Sequence, residues 1–297
     1  MNLSNPILCN KITITQGVTQ GFLGGPYDTM FNISDEITVS ILQCGVRIIE
    51  LSTTTDIPCD ELFWKFQPLE KLLMLLDGRF YEIKNIEFSG GNNTPEQISK
   101  IKEKILNGRL SYFSSNNFSQ NNLFKSLPFQ SVLNQNIYNT WISLLEQMDI
   151  MHQVFLYSLS NNKNPVDMNF AFLIEIAEPL VELIQEKTCF CQTISPGERG
   201  TTLKMCIDAI ITLFGKDIFD KELKANYKDF LDKVVKSRVR VMHIKKNQHN
   251  YFDGKECIRY SMKFSLLYRK ILFDLLEISY DIYKDKLHNV IHEIDKW

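Results

Sequence analysis

The spacing of apolar residues changes character along the chain. In roughly the first ninety residues, β-branched and apolar residues alternate with polar ones in short runs, at 11–15, 36–41, 46–51 and 80–88. Such alternation is typical of half-buried strands. A helical spacing separates these runs at 61–76, where Pro68 predicts a break and Asp77 with Gly78 predicts a turn. The N-terminal part is therefore predicted to be a small α+β unit.

From about residue 136 onward, apolar residues recur every three or four positions, which is the spacing of amphipathic helices. The pattern predicts five helices, near 141–155, at 165–184 with a kink at Pro179, at 202–214, from Phe219 to beyond Val241, and from Lys255 almost to Trp297. Consecutive helices with apolar stripes pack into a bundle. The predicted fold class is thus α+β, with a β-rich N-terminal domain followed by an all-helical bundle.

A change in composition separates the two parts. After a Gly- and Asn-rich stretch at 89–95 and a short helical pattern near 96–106, residues 111–135 are dense in Asn, Ser and Phe. We interpret 1–95 as a β-rich α+β domain that senses or binds a ligand, 96–135 as a linker or extended arm, and 136–297 as the helical bundle. The phenylalanines of the arm favour packing onto a core over free coil.

Composition narrows the class of protein. The chain has 297 residues, 44% hydrophobic and 23% charged, as in an ordinary globular protein. It has neither the roughly 18 consecutive apolar residues of a membrane span nor a signal-peptide pattern, so we expect a cytoplasmic protein without a membrane partner. Its seven cysteines are scattered, and a single Cys-x-Cys pair at Cys189 and Cys191 seldom holds zinc alone. Reduced thiols and no metal site are expected.

The predicted fourth bundle helix carries an arginine in its apolar seam. The stripe of Leu223, Tyr227, Leu231 and Val234 continues at the next helical step to Arg238. A guanidinium inside a seam is costly unless it meets an acid, a phosphate or water. An acid on another helix, such as Glu146, Glu175 or Glu182, is one alternative, and a substrate phosphate is the other.

A histidine follows five residues after this arginine, near the predicted end of the helix. Five residues of a straight helix turn Arg238 and His243 about 140° apart, so their side chains meet only if the helix ends or loosens between them. From Lys221 to Lys246 there are nine basic and three acidic residues, a net charge of +6, while the rest of the chain sums to −8. A basic strip beside an Arg/His pair suits a phosphodiester backbone. We therefore single out Arg238 and His243, with the neighbouring Lys236, Arg240, Lys245, Lys246 and Asn247, as the candidate residues of a site for such a backbone.

This arrangement resembles a known family. The stretch Phe230-Leu-Asp-Lys-Val-Val-Lys-Ser-Arg238, an Arg-x4-His motif ending at His243, Gly254, and a long final helix ending in Leu275-Leu276-Glu277 are similar to the C-terminal part of HEPN ribonuclease domains. The likeness is greatest to ApeA-type abortive-infection proteins, which join a β-rich N-terminal domain to a HEPN bundle. It is good over about 200–278 and only architectural over 1–95.

The resemblance implies a reaction and its partners. HEPN nucleases cleave RNA without a metal or other cofactor: the 2′-hydroxyl attacks the adjacent phosphorus, leaving a 2′,3′-cyclic phosphate and a 5′-hydroxyl. His243 would then act as general acid or base and Arg238 would hold the phosphate. The family also implies a homodimer through the helical domain, antiphage defence by abortive infection, and a phage-derived trigger or ligand at the N-terminal domain.

Two other classes of protein compete with this interpretation. Val239 stands where the resembling domains usually carry Asn, Asp or His, which favours a non-catalytic HEPN-type module for RNA or protein binding and dimerisation. A purely structural scaffold is the third hypothesis, but it leaves the +6 strip unexplained.

Overall fold

The computed structural model describes residues 6–17, 27–44, 46–78, 82–109, 123, 132–159, 165–187, 202–244 and 249–297. The chain divides into two compact units, Met1–Ser143 and Leu144–Trp297. The strands lie in the first unit, and the second is helical, which confirms the predicted α+β class with its order of β-rich part and helical bundle.

The first unit is built on a five-stranded antiparallel sheet with strand order β2-β3-β4-β1-β5. Its elements are β1 (Leu8–Gly17), β2 (Tyr27–Asn32), β3 (Ile37–Cys44), β4 (Val46–Pro58), α1 (Cys59–Asp77), β5 (Ile83–Ser89), α2 (Pro95–Arg109) and the start of α3 (Gln135–Leu159). Alternate residues such as Ile12 and Ile14 are fully buried, as the period of two requires. Helix α1 packs on β1 and β4 and closes this core.

Helix α1 differs from its prediction because it continues through Pro68. The buried residues Leu62, Phe66, Leu69 and Leu73 lie on both sides of the proline, so packing against the sheet outweighs the lost backbone hydrogen bond. The indole Nε1 of Trp141 donates to the Pro68 carbonyl at 2.8 Å. The strand β2 was not predicted, because Tyr27–Asn32 lacks an alternating run of β-branched residues.

The described residues of the second unit form the rest of α3 and seven further helices: α4 (Val166–Glu175), α5 (Ala177–Lys187), α6 (Leu203–Phe214), α7 (Asp220–Lys224), α8 (Tyr227–Met242), α9 (Gly254–Leu275) and α10 (Lys284–Ile294). Helix α9 is the most buried of them, and α4 packs against both α8 and α9. No helix in the described part of the chain is both long and apolar enough to cross a bilayer.

Three predicted helices of the bundle are divided in the structure. The second ends as α4 at Glu175 and continues as α5 from Ala177, so the break falls at Ile176, three residues before Pro179. The fourth is interrupted at Ala225 and Asn226, where the Asn226 side chain accepts from the Asp229 amide at 3.3 Å and caps α8. The fifth stops at Leu275, because Glu277 adopts a left-handed φ of 58°. A 3-10 turn, Tyr280–Ile282, then precedes α10.

Several sequence predictions lie outside the described residues. These are the phenylalanine-bearing parts of the arm at 111–122 and 124–131, the cysteines Cys189 and Cys191, and the turn at 195–200. Among described cysteines, Cys9, Cys59, Cys206 and Cys257 are buried free thiols.

Candidate active site

The Arg-x4-His motif lies at the end of α8. The last helical residue is Met242, and His243 is the C-cap residue, with φ −109° and ψ 8°. Ile244 then takes a left-handed φ of 50°, an uncommon conformation for a β-branched residue. Because the backbone leaves the helix directly after Met242, the histidine side chain is released from the direction that a continuing helix would impose.

Arg238 and His243 are in contact. The guanidinium Nη1 of Arg238 lies 3.3 Å from the imidazole Nε2 of His243, so the end of the helix brings together two residues that a straight helix would hold apart. An arginine nitrogen is a donor only, so a hydrogen bond at this contact forms with the neutral imidazole tautomer that carries its proton on Nδ1. The sequence prediction that the pair converges only where the helix ends agrees with this geometry.

Arg238 also has an acidic partner. Its Nε donates to Oε1 of Glu175, the last residue of α4, and the side chains are 21% and 29% exposed respectively. From the sequence, two alternatives were open for Arg238: an ion pair with an acid such as Glu175, or contact with a substrate phosphate. The structure combines an ion pair on one edge of the guanidinium with the histidine contact at Nη1.

Side-chain hydrogen bonds join the segment after His243 to α8. The Oγ of Ser237, a buried residue next to Arg238, donates to the Lys233 carbonyl at 2.7 Å and accepts from the Phe252 amide at 2.8 Å. Asn250 donates from Nδ2 to Oδ1 of Asp229 at 2.8 Å. The chain thus leaves α8 at His243 and is bound again to the same helix before α9 begins.

An aromatic cluster supports this turn. The ring of Phe252 packs against Phe170 of α4, Phe230 of α8 and Tyr260 of α9, with centroid separations of 5.6, 6.0 and 4.4 Å. Burial raises the pKa of the neighbouring Cys257 thiol to about 12, so it stays protonated at neutral pH and is a poor nucleophile. Cys257 is therefore not a candidate nucleophile for a reaction at this site.

The predicted RNA-binding residues divide into three groups. Arg240 makes an ion pair with Asp167 at 3.6 Å, and its guanidinium carbon lies 4.2 Å from the centre of the Tyr251 ring. Lys236 makes no ion pair with any described acid. Lys245, Lys246 and Asn247 lie outside the described residues.

Much of the basic strip is neutralised by acids from other parts of the fold. Of the seven cations of the strip that the structure describes, five make ion pairs, through Lys221–Asp295, Lys224–Asp220, Lys233–Glu256, Arg238–Glu175 and Arg240–Asp167. Asp232 is surrounded by Lys204, Lys236 and Lys228, and the hydrogen bond from Lys204 is the main reason that the pKa of Asp232 is lowered. A net positive surface therefore remains along the face of α8 that carries Lys228 and Lys236.

Glu175 borders an open groove of about 350 Å³ in the helical unit. The groove is lined by residues of α3 and of the α4–α5 junction, namely Glu146, Gln147, Asp149, Ile150, Met151, Val154, Glu175, Ile176 and Pro179. Its three acids give it the wrong charge for a nucleic acid. Within the described part of the chain, no group of three or more His, Cys, Asp or Glu residues is arranged to hold a metal ion.

Some residues around the pair could not be singled out from the sequence. Ser237 and Tyr251 carry no motif, and their roles depend on contacts between α8 and the turn after it. Asp167 is one of many helix acids. Glu175 was one of three acids proposed as a partner for Arg238, but helical spacing alone gives no means of choosing among them.

Comparison with known proteins assigns the helical unit to a family. Residues 157–282 match the family described as Apea-like HEPN, a range that contains Glu175, Arg238 and His243. The helical unit therefore contains an ApeA-like HEPN domain. At the family level this match supports a nuclease or defence module, and HEPN domains are generally ribonuclease-like. No curated protein and no solved structure matches the chain in the corresponding comparisons.

Proposed function

We propose that this protein is a metal-independent endoribonuclease that acts in antiphage defence by abortive infection. The observation that carries the proposal is the 3.3 Å contact between Arg238 Nη1 and His243 Nε2 at the end of α8, inside an ApeA-like HEPN domain. An always-charged guanidinium beside a titratable imidazole supplies the two functions that RNA cleavage by an internal nucleophile requires.

The proposed reaction is a transesterification. The 2′-oxygen of one nucleotide bonds to the adjacent phosphorus, and the bond from phosphorus to the 5′-oxygen of the next nucleotide breaks. A base must take the 2′-hydroxyl proton and an acid must protonate the departing oxygen. His243 serves as the proton-transfer group, and Arg238 stabilises the charge that develops on the phosphoryl oxygens. The products carry 2′,3′-cyclic phosphate and 5′-hydroxyl ends.

The charge distribution supports a path for the RNA strand. Lys228 and Lys236 lie on the face of α8 that keeps a net positive charge, and Lys236 precedes the C-cap residue His243 by seven residues, a rise of about 10.5 Å along the helix. We propose that the strand follows this face, with Lys236, Arg240, Lys245, Lys246 and Asn247 contacting its backbone. The acidic groove bordered by Glu175 repels phosphate and leaves the lysine-bearing face as the favourable approach.

We propose that the active form is a homodimer joined through the helical unit. One chain supplies a single Arg238 and His243, whereas the reaction has separate needs for a base and an acid. A two-fold axis next to the site would place two copies of the pair in one cleft. We also propose that the N-terminal unit receives the phage-derived trigger, which predicts more RNA cleavage in infected cells than in uninfected cells expressing the same chain.

A non-catalytic HEPN-type binding module is the second candidate function. Two observations favour it: Glu175 already neutralises Arg238, and Val239 is apolar where the resembling domains carry a polar residue. The two candidates differ in one measurable respect. A binding module retains affinity for its partner but releases no RNA fragments.

The deciding experiment uses the purified full chain with total RNA in EDTA. We expect fragments whose 5′-hydroxyl ends accept phosphate from a kinase without prior phosphatase treatment, and whose 3′ ends carry cyclic phosphate. Arg238→Ala and His243→Ala should each abolish cleavage while leaving helical content nearly unchanged, since His243 is exposed and the half-buried Arg238 lies near the C-terminal end of α8. The exposed His292 of α10 provides the control, because His292→Ala should cleave as the wild type does. Equal cleavage by the wild type and His243→Ala would refute the assignment.

A further inference from the structure

We propose that Glu175 is a positioning residue for the reaction, which holds the Arg238 guanidinium in the orientation that serves both His243 and a substrate phosphate. This inference rests on the proposed ribonuclease function and adds a residue outside the Arg-x4-His motif. It also distinguishes Glu175 from an acid that merely stabilises the fold or blocks the site.

The geometry leaves the substrate-binding end of the arginine unoccupied by the acid. A guanidinium has five N–H donors, one on Nε and two on each Nη. Glu175 accepts from Nε, at the edge nearest the side-chain stem, and Nη1 faces His243. Three N–H groups on the Nη end therefore remain for phosphate oxygens. An acid that blocked the site would instead take the two Nη groups together.

The position of Glu175 is fixed by the packing of helix α4. It ends α4, a helix that packs along both α8 and α9, and the α4 residue Phe170 contacts Phe252 and Phe264 at centroid separations of 5.6 and 6.2 Å. An arginine side chain free in solution samples many rotamers, and fixing one of them before substrate binds lowers the entropic cost of the reaction. The ion pair thus fixes the direction in which the Nη end points.

The same carboxylate also has an electrostatic cost. A negative charge next to Arg238 weakens the attraction for a phosphodiester, so Glu175 favours turnover at the expense of binding. Charge and hydrogen bonding can be separated by substitution. Glutamine keeps an oxygen that accepts from Nε but carries no charge, whereas alanine removes both.

The chain provides a matched control on the same two helices. Asp167, near the start of α4, pairs with Arg240 of α8 at 3.6 Å, and these side chains are 35% and 38% exposed. Asp167→Ala removes one acid from α4 and frees one arginine of α8, as Glu175→Ala does, but it leaves Arg238 and its two contacts in place.

The test measures kcat and KM for RNA cleavage in EDTA for the wild type, Glu175→Gln, Glu175→Ala and Asp167→Ala. We expect Glu175→Ala to lower kcat about 100-fold, the order of loss that a displaced catalytic group produces. Glu175→Gln should keep kcat near the wild-type value with a lower KM, and Asp167→Ala should leave kcat unchanged. Wild-type kcat in Glu175→Ala would show a merely structural acid, and a raised kcat would show a blocking one. Either result overturns the proposal.

A second readout separates this inference from the ribonuclease assignment. The ring nitrogens of His243 give NMR signals that report which nitrogen carries the proton, and these can be followed without any substrate. We expect Glu175→Ala to change the His243 signals, and Asp167→Ala to leave them as in the wild type. If the wild type cleaves no RNA, the proposed function fails, while the role of Glu175 in holding the pair is judged by these signals alone. Unchanged His243 signals in Glu175→Ala would overturn it.

Discussion

The helical unit is held together at its C-terminal end by a buried ionic cluster, and Lys263 is its centre. The Nζ of this fully buried lysine lies 2.8 Å from both carboxylate oxygens of Glu222 and 2.8 Å from Oδ1 of Asp295. Arg259 lies 3.2 Å from Asp295 and 3.7 Å from Glu222. The cluster joins α7, α9 and the residue that follows α10, so we expect Lys263→Met to destabilise the whole unit.

The size of the effect follows from burial. Removing one partner of a buried ion pair costs about 3 to 5 kcal/mol, because the remaining charge keeps its desolvation penalty. In Lys263→Met two carboxylates lose a partner, but Arg259 and Lys221 stay close to Asp295. We therefore expect the free energy of unfolding to fall by about 3 kcal/mol, the lower end of this range. For a unit of this size that corresponds to a fall in Tm of roughly 10 °C.

The assay compares thermal unfolding of the wild type, Lys263→Met and Lys224→Met. Lys224 pairs with Asp220 one turn away on the surface, with side chains 75% and 56% exposed, and such a pair contributes less than about 0.5 kcal/mol. Hydrogen exchange of α9 and α10 should assign the loss to the helical unit. A Tm for Lys263→Met no lower than that for Lys224→Met would refute the reasoning.

The pH dependence adds a second check on the same cluster. Burial alone would raise the pKa of Asp295, but the hydrogen bond and charge of Lys263, together with Lys221 and Arg259, lower it below the usual 3.8. A carboxyl with a lowered pKa stabilises the folded state above its unfolded pKa, and this contribution is lost as the pH falls through the folded value. The difference in stability between wild type and Lys263→Met should therefore shrink below about pH 4. A stability difference between the two proteins that stays constant below this pH would contradict the proposed role of the Lys263–Asp295 pair.

Four further outcomes are expected. Ser237→Ala should cost about 1 to 3 kcal/mol in urea unfolding, because it leaves a buried backbone amide of the following turn without an acceptor. Ile244→Gly should raise stability by about 1 kcal/mol by relieving the left-handed φ of an exposed side chain, as calorimetry would show. Replacing Lys236, Lys245 and Lys246 by Glu should lower the slope of log affinity for single-stranded RNA against log salt by about 0.7 for each phosphate that is no longer neutralised, without changing the products. Sedimentation should show a dimer at micromolar concentration, and a fully active monomer would contradict the proposed dimer.

The architecture was largely predictable because period and length decide it. Apolar alternation at 11–15 and 46–51 and helical spacing after 136 are strong local signals, and they indicated the α+β class correctly. The breaks inside helices were harder to predict. Asn226 and Glu277 end helices through one capping bond and one left-handed residue, whereas Pro68, the strongest local breaker, is overruled by the packing of α1 on the sheet.

The candidate site was predictable in its residue types but not in its partners. The seam position of Arg238 and the nearby end of the helix indicated a pair with His243, and the contact depends on the cap geometry at that end. The choice of Glu175 over Glu146 or Glu182 depends on how α4 packs against α8, which is a contact between segments far apart in sequence. The periodicity of apolar residues within one helix carries no information on how two helices pack against each other.

The two roles that the sequence suggested for Arg238 do not exclude each other, and the reason is the shape of its side chain. A lysine in the seam would present one compact charge, and an acid that satisfied it would leave little attraction for phosphate. A guanidinium is planar and forked, so Glu175 can bind at Nε while the Nη end stays directed at His243 and any bound phosphate. The ion pair makes the arginine tolerable in a half-buried seam, and the free Nη end keeps it available to a substrate. Arg238→Lys should therefore behave like the alanine variant in RNA cleavage, although it preserves the charge.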